Sequence, residues 1–223
     1  MKYTRAAAYA RANLGAIRGM LEKSESAIER INLQDRVEDW VREVAVAEHR
    51  AATLGEADVL FGGIPVNASI GIDAAFGGQS IRAFQELVTT VAADLSPSGA
   101  EQRGEVTAAV PHLMITDVDI SSFGFQLAEV PDEEPPACAS PLKNALDISI
   151  RLLQAARESD DAFTRELAAR PRRVLTKLEH FLDLLDEAGA TLRVDTGHVS
   201  LRFDTAEHVK AARARAGTIQ VEE

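Results

Sequence analysis

Two apolar stripes at the amino-terminal end constrain the fold of this chain most. The first recurs at alternating spacings of three and four, which places on one side of a helix Leu14, Ile17, Leu21, Ser24, Ile28 and Ile31. The second has the same spacing and comprises Val37, Trp40, Val44, Ala47, Ala51 and Leu54. Asn32 is the expected cap between the two helices, and Gly55 is the expected stop after the second. The pattern predicts an antiparallel helical hairpin over residues 1–57.

The same spacing is typical of a coiled-coil seam. The candidate interface residues on this seam are Leu14, Ile17, Leu21, Ile28, Val37, Trp40 and Val44. Each helix holds only about two and a half heptads, fewer than a stable coiled coil usually has. We therefore expect the hairpin either to pack on the rest of the chain or to pair with a second copy.

Residues 58–80 change character because they are rich in glycine. Glycine permits positive φ and close approach of the backbone, so the segment is expected to be either a turn-rich connection or a ligand-facing loop. The candidate ligand-binding residues are Gly62, Gly63, Gly71 and Asp73. A helix follows, and its cap is either Ser80 or Asp73. In the second case Asp73 has a structural role.

The remaining two thirds of the chain mix strand and helix signals. Alternating apolar residues predict one β-hairpin between about 112 and 130 and another on either side of Thr196-Gly197. Ser140-Pro141, Ser159, Pro171 and Asp204 with Glu207 mark helix starts, and the PDEEPP stretch is a candidate linker. The expected class is α+β and helix-rich, with segments 1–57, 58–135 and 136–223, of which the last two could form one domain.

Most signatures of familiar enzymes are absent from the sequence. It has no P-loop, no dinucleotide-binding glycine motif, no nucleophile elbow and no H-E-x-x-H, and its single cysteine, Cys138, excludes a C-x-x-C pair. One cluster stands apart: His112, Asp117 and Asp119 fall within eight residues, and Ser121 and Ser122 follow. Two carboxylates and an imidazole are suited to a divalent cation or to acid–base chemistry. The alternative is a polar hairpin loop, because Asp and Ser hydrogen-bond the backbone in turns.

The negative charge is concentrated in the middle of the chain. Of the net charge of −11, residues 61–140 carry −9, with two basic side chains against eleven acidic ones. This excess favours a basic partner surface or a bound cation there and argues against a nucleic-acid partner. A basic cluster could bind phosphate or form ion pairs on a helix surface; it comprises Arg165, Arg170, Arg172, Arg173 and Lys177.

These observations favour an interaction or regulatory subunit of a bacterial-type multi-protein assembly. It would act through the helical seam and the acidic central surface, with a protein partner or a second copy and without a cofactor. One alternative is a metal-dependent hydrolase, of the phosphoesterase or nuclease kind, that uses Asp117, Asp119, His112 and a divalent metal. A further alternative is a small-ligand sensor built on the glycine-rich residues 62–78. Without a signal peptide or an apolar span in the sequence, a cytoplasmic location is expected.

Overall fold

A computed structural model describes residues 1–67, 70–95, 112–119, 123–131 and 135–218. It confirms a helix-rich α+β fold. The helices are α1 (Lys2–Lys23), α2 (Ala27–Thr53), α3 (Ala74–Leu95), α4 (Pro141–Glu158), α5 (Asp160–Leu167), α6 (Arg172–Glu187) and α7 (Ala206–Thr218). The strands are β1 (Glu56–Gly63), β2 (Val66–Asn67), β3 (Gly71–Ile72), β4 (Leu113–Asp119), β5 (Gly124–Glu129), β6 (Ala190–Asp195) and β7 (Ser200–Phe203).

Five strands form one antiparallel sheet in the order β4-β5-β1-β6-β7, and β2 pairs with β3 separately. The two predicted β-hairpins are present as β4–β5 and β6–β7, and β1 joins them because Val59 lies opposite both Phe125 and Val194. The prediction that the glycine-rich segment starts as a loop is wrong, since residues 58–63 belong to this central strand. Ala57, Val59 and Phe61 alternate as they would in a half-buried strand, but the glycines that follow them obscured this signal in the sequence.

The hydrophobic core lies on one face of the sheet. Alternate residues of β1 point into it, and helices α3 to α7 supply the opposing side chains. Phe61 meets Phe76 of α3 edge to face, with ring centroids 5.3 Å apart, and Phe84 of α3 lies 5.6 Å from Phe181 of α6. Strands from segments 58–135 and 136–223 therefore share one sheet and one core.

Several predicted helix caps are present. The Asp73 carboxylate accepts a hydrogen bond from the Phe76 N–H at 2.8 Å and so begins α3 before the Gly77-Gly78 pair. Ser140 and Ser159 cap α4 and α5 in the same way. A cap of this kind satisfies one of the backbone N–H groups that have no partner within the helix.

Two predicted helix starts are wrong. The hairpin turns at residues 24–26, where the Ser26 side chain caps α2, so Asn32 lies inside α2 and Ile28 belongs to the second helix. Thr205, and not Asp204, caps α7 by accepting a hydrogen bond from His208 N–H at 3.3 Å. In both places a hydroxyl residue, Ser26 or Thr205, occupies the cap position in place of the predicted Asn32 or Asp204.

The β7 edge of the sheet is covered by side chains of α4. Gln154 donates to the Ser200 carbonyl at 2.7 Å, and Arg157 donates to the Arg202 carbonyl. These contacts occupy outward-facing carbonyls that would otherwise be open to another strand. Half of the candidate linker stretch PDEEPP, residues 132–134, lies outside the described residues. Within the described residues no helix is long and apolar enough to cross a membrane.

Candidate functional site

Helices α1 and α2 pack mainly against each other and form the predicted hairpin. Of the predicted interface residues, Leu14 and Ile17 are buried between the helices, and those that are half-buried are Leu21, Val37, Trp40 and Val44. Ile28 is the exception, with 74% of its surface exposed. The seam thus closes largely within the chain. The seam also extends toward the amino terminus through Tyr3, Ala7 and Ala10. The sequence pattern did not predict this extension, because alanine is a weak hydrophobic signal.

The hairpin is attached to the rest of the molecule at its base, where the two helix ends meet the sheet. Glu56 of β1 is almost fully buried, and its carboxylate accepts hydrogen bonds from the N–H groups of Tyr3 at 2.6 Å and Thr4 at 2.9 Å. Helix α1 has no capping side chain of its own. Glu56 therefore serves as a long-range cap, and its charge also complements the positive end of the helix dipole.

A second buried carboxylate, Glu129 of β5, secures the other side of the base. It accepts hydrogen bonds from Gly55 N–H at 2.8 Å and from the Ser140 hydroxyl at 2.5 Å. The Tyr3 hydroxyl donates to the Glu129 backbone carbonyl, and burial raises the pKa of Tyr3, which keeps this donor protonated. No local sequence signal marks Glu56 or Glu129, because their partners lie far along the chain.

Away from its base, the hairpin exposes large apolar side chains to solvent. Tyr9 is 66% exposed and Met20 55%, both on α1. The exposed residues of α2 are Ile28, Ile31, Val41 and Val46. Helix α2 buries three of its 27 residues, and at 1.5 Å per residue it extends about 40 Å. The hairpin is thus an arm with apolar groups on its outer surface.

The glycine-rich segment contributes to an open cleft with a volume of about 790 Å³. Gly71 and Asp73 line this cleft, together with Ile70 of the β2–β3 turn, Phe76 of α3 and Glu187 at the end of α6. Gly62 and Gly63 do not line it: a side chain at Gly62 would meet Thr191, and Gly63, with φ of +83°, packs against the Gly189 carbonyl. Of the four candidate ligand residues, the structure brings two to one cleft.

Asp117 and Asp119 lie on strand β4 and not in a turn. Their register partners, Gln126 and Gly124, place them on the same face of the sheet, beyond an irregularity at Ile115/Asp117. Asp117 accepts a hydrogen bond from Val118 N–H at 2.8 Å, and His112 precedes the strand. Across the described residues, which include all three, no group of three His, Cys, Asp or Glu side chains is arranged to hold a metal ion. Ser121 and Ser122 lie outside the described residues.

Two residues of the predicted basic cluster form ion pairs with acidic side chains of α3. Arg170 contacts Asp94 of α3 at 3.1 Å, and Lys177 of α6 contacts Glu86 of α3 at 2.7 Å. The acidic partners belong to the negatively charged middle segment of the sequence. Part of the −9 excess is thereby neutralised in the fold by the carboxy-terminal third.

Comparison of this chain with protein-family models, with curated proteins and with solved structures finds no match. Function is therefore inferred from the geometry of the hairpin and the clefts.

Proposed function

We propose that this chain is an interaction subunit of a multi-protein assembly and that the hairpin is its docking arm. The observation that carries the proposal is the set of exposed apolar side chains on a helical arm that, among the described residues, is attached to the sheet at its base. Ile28 and Ile31 are three residues apart and share one face of α2, and an exposed apolar patch is typical of protein–protein contact sites. They lie on the outer surface of the arm because the inner seam between α1 and α2 is already closed.

In this proposal the seam holds α1 and α2 together, and the exposed outer residues contact the partner. A double substitution, Ile28→Ser with Ile31→Ser, removes two of the most exposed apolar groups near the tip. Because 74% and 63% of these side chains are exposed, we expect the free energy of unfolding to change by less than about 0.5 kcal/mol. Association should weaken at least tenfold.

Association is measured by sedimentation velocity and light scattering of the isolated full chain. The same measurements are made on the full chain cross-linked to the chains that co-purify with it. The matched control is Ile64→Ser with Ile70→Ser, since these residues are 86% and 79% exposed but lie outside the hairpin. The control should associate like the unchanged chain. A chain that is monomeric and forms no hairpin-dependent complex would contradict the docking arm.

A second candidate function is small-molecule binding in the cleft that Gly71 and Asp73 line. Its volume of about 790 Å³ suits a metabolite-sized ligand. A ligand that binds only the folded chain raises its melting temperature, so a thermal-shift panel of nucleotides and metabolites tests this function. Gly71→Leu should abolish such a shift by filling the cleft, since a Cβ at this position meets only ordinary contacts near Phe123.

A further inference from the structure

A recess lies between α1 and α2 about halfway along the arm. Its volume is about 330 Å³, and its lining comprises Ala6, Tyr9, Ala10, Asp39, Trp40 and Glu43. Ala6 and Ala10 are one helical turn apart, and their small side chains leave the space that larger residues would fill. The recess is therefore a consequence of the alanine positions in α1.

Two aromatic rings line the recess and contact each other. The ring centroids of Tyr9 and Trp40 are 6.1 Å apart and their planes are inclined by 70°. Trp40 is half-buried in the seam, so its ring is held in place, whereas Tyr9 is largely exposed. Aromatic faces carry partial negative charge and attract cations, and tryptophan does so most strongly.

Two carboxylates line the same recess from one turn of α2. Asp39 forms an ion pair with Arg42 of its own helix, while Glu43 makes no hydrogen bond or ion pair with any described residue. Asp39 and Glu43 are four residues apart on α2, so both carboxylates face the same recess. Together they attract a cation to it.

We propose that this recess binds an arginine side chain of the partner segment that docks on the arm. The inference rests on the proposed function and specifies the chemistry of the partner. Aromatic rings beside carboxylates suit a guanidinium group, which stacks on rings and hydrogen-bonds carboxylates through its planar N–H groups. The recess is also too large, and has too few acidic groups, for a bare metal ion; the described residues contain no group of three metal-ligating side chains.

The test uses the fluorescence of Trp40, which is the only tryptophan in the chain. The full chain is titrated with N-acetyl-arginine amide to about 50 mM, because a single side chain binds in the millimolar range. The neutral isostere N-acetyl-citrulline amide is titrated in parallel. We expect a saturable change with the arginine compound and none with the citrulline compound.

Matched variants assign the response to the recess. Glu43→Gln should weaken the arginine response about fivefold or more, as should Tyr9→Leu. Glu38→Gln removes an exposed acid from α2 that does not line the recess, and it should leave the response unchanged. Circular dichroism verifies that each variant retains its helix content. Equal responses to the two compounds, no saturable response, or equal effects of Glu43→Gln and Glu38→Gln would overturn the assignment.

The outcome is separable from that of the docking arm. If the recess does not bind arginine but Ile28→Ser with Ile31→Ser still breaks association, the arm stands and the arginine assignment fails. If the recess binds arginine and association does not depend on the hairpin, the docking arm fails and the recess is a site for a free guanidinium compound only.

Discussion

At the scale of single residues, the base of the arm depends on groups that act across long stretches of sequence. Glu56 caps a helix that begins more than fifty residues earlier, and Glu129 joins the loop after α2 to the start of α4. Both carboxylates are buried and have hydrogen-bond partners, which is the condition under which a buried charge is tolerated. The removal of either one leaves donors without acceptors.

We expect Glu56→Ala to destabilise the protein by about 1–3 kcal/mol, since it leaves buried N–H groups at the start of α1 without partners. Urea denaturation measures the change, and hydrogen exchange of the Tyr3 and Thr4 amides localises it. As a control, Glu48→Ala removes an exposed ion pair with Arg11 and should cost less than about 1 kcal/mol. Equal losses for the two variants would contradict the long-range cap.

Two glycines should respond to alanine in opposite directions. At Gly124 a Cβ would lie 2.3 Å from the Val59 carbonyl oxygen, so Gly124→Ala should destabilise the sheet by about 2–3 kcal/mol. At Gly15, within α1, a Cβ meets nothing within 4 Å, and Gly15→Ala should stabilise the chain by about 0.5–1 kcal/mol through helix propensity. Thermal denaturation measures whether each variant melts at a lower or a higher temperature than the unchanged chain. A shift of both melting temperatures in the same direction would refute the prediction.

At the scale of elements, α3 and α6 are joined by an ion pair as well as by core packing. Glu86 contacts Lys177 at 2.7 Å and Arg82 at 3.0 Å. The hydrogen bond from Lys177 lowers the pKa of Glu86; burial opposes this effect, and the hydrogen bond from Arg82 adds to it. Glu179 of α6 behaves in the opposite way, because burial and the nearby Asp183 raise its pKa.

These opposite directions predict opposite dependences on pH. Since the folded state lowers the pKa of Glu86, its contribution to stability is present above the unfolded value of about 4.3 and is lost as the pH falls through the folded value. Glu86→Gln should therefore destabilise the protein at pH 7 and become neutral in acid. Glu179→Gln should stabilise it at pH 7, because the raised pKa disfavours the charged form, and this gain should also vanish in acid.

Urea midpoints of the unchanged chain and both variants, measured from pH 7 to pH 3, check these signs. A loss of stability in Glu86→Gln that persists unchanged at pH 3 would contradict the ion-pair account.

The sequence predicted that the basic cluster forms ion pairs on a helix surface. Arg170 and Lys177 do form ion pairs, but their partners lie on a different helix, α3. Pairing across helices depends on tertiary packing, which spacing within one helix does not reveal.

At the scale of the whole molecule, the arm and the body differ in how much they bury. Helix α4 buries eleven of its 18 residues, whereas within residues 17–33 of the arm Ile17 and Leu33 are buried and most of the other residues are exposed. Local stability follows the density of buried apolar contacts. The arm should therefore open more readily than the body.

Native-state hydrogen exchange tests this expectation. Amides of residues 17–33 should exchange with an opening free energy at least about 2 kcal/mol below that of α4 amides. A docked partner should slow exchange in the arm selectively, because binding stabilises the folded arm. Equal protection of the arm and α4 in the free chain would contradict this division.

Features that depend on neighbours along the chain could be predicted before folding was considered. The spacing of Leu14 to Leu54 predicts the hairpin, alternation predicts the two β-hairpins, and hydroxyl residues before Pro141 and Asp160 predict two helix starts. These features rest on helical and strand periodicity and on capping, which act within a few residues.

Tertiary structure alone decided the features that join distant parts of the chain. It placed β1 at the centre of the sheet, matched Glu56 to α1 and Lys177 to Glu86, and brought Tyr9 beside Trp40 and Glu43. It also placed Gly63 in a tight backbone contact and gave Asp73, which lines the cleft, a helix-capping hydrogen bond. The physical reason is that such contacts depend on which surfaces meet after folding, and periodicity within one segment carries no information about its neighbour in space.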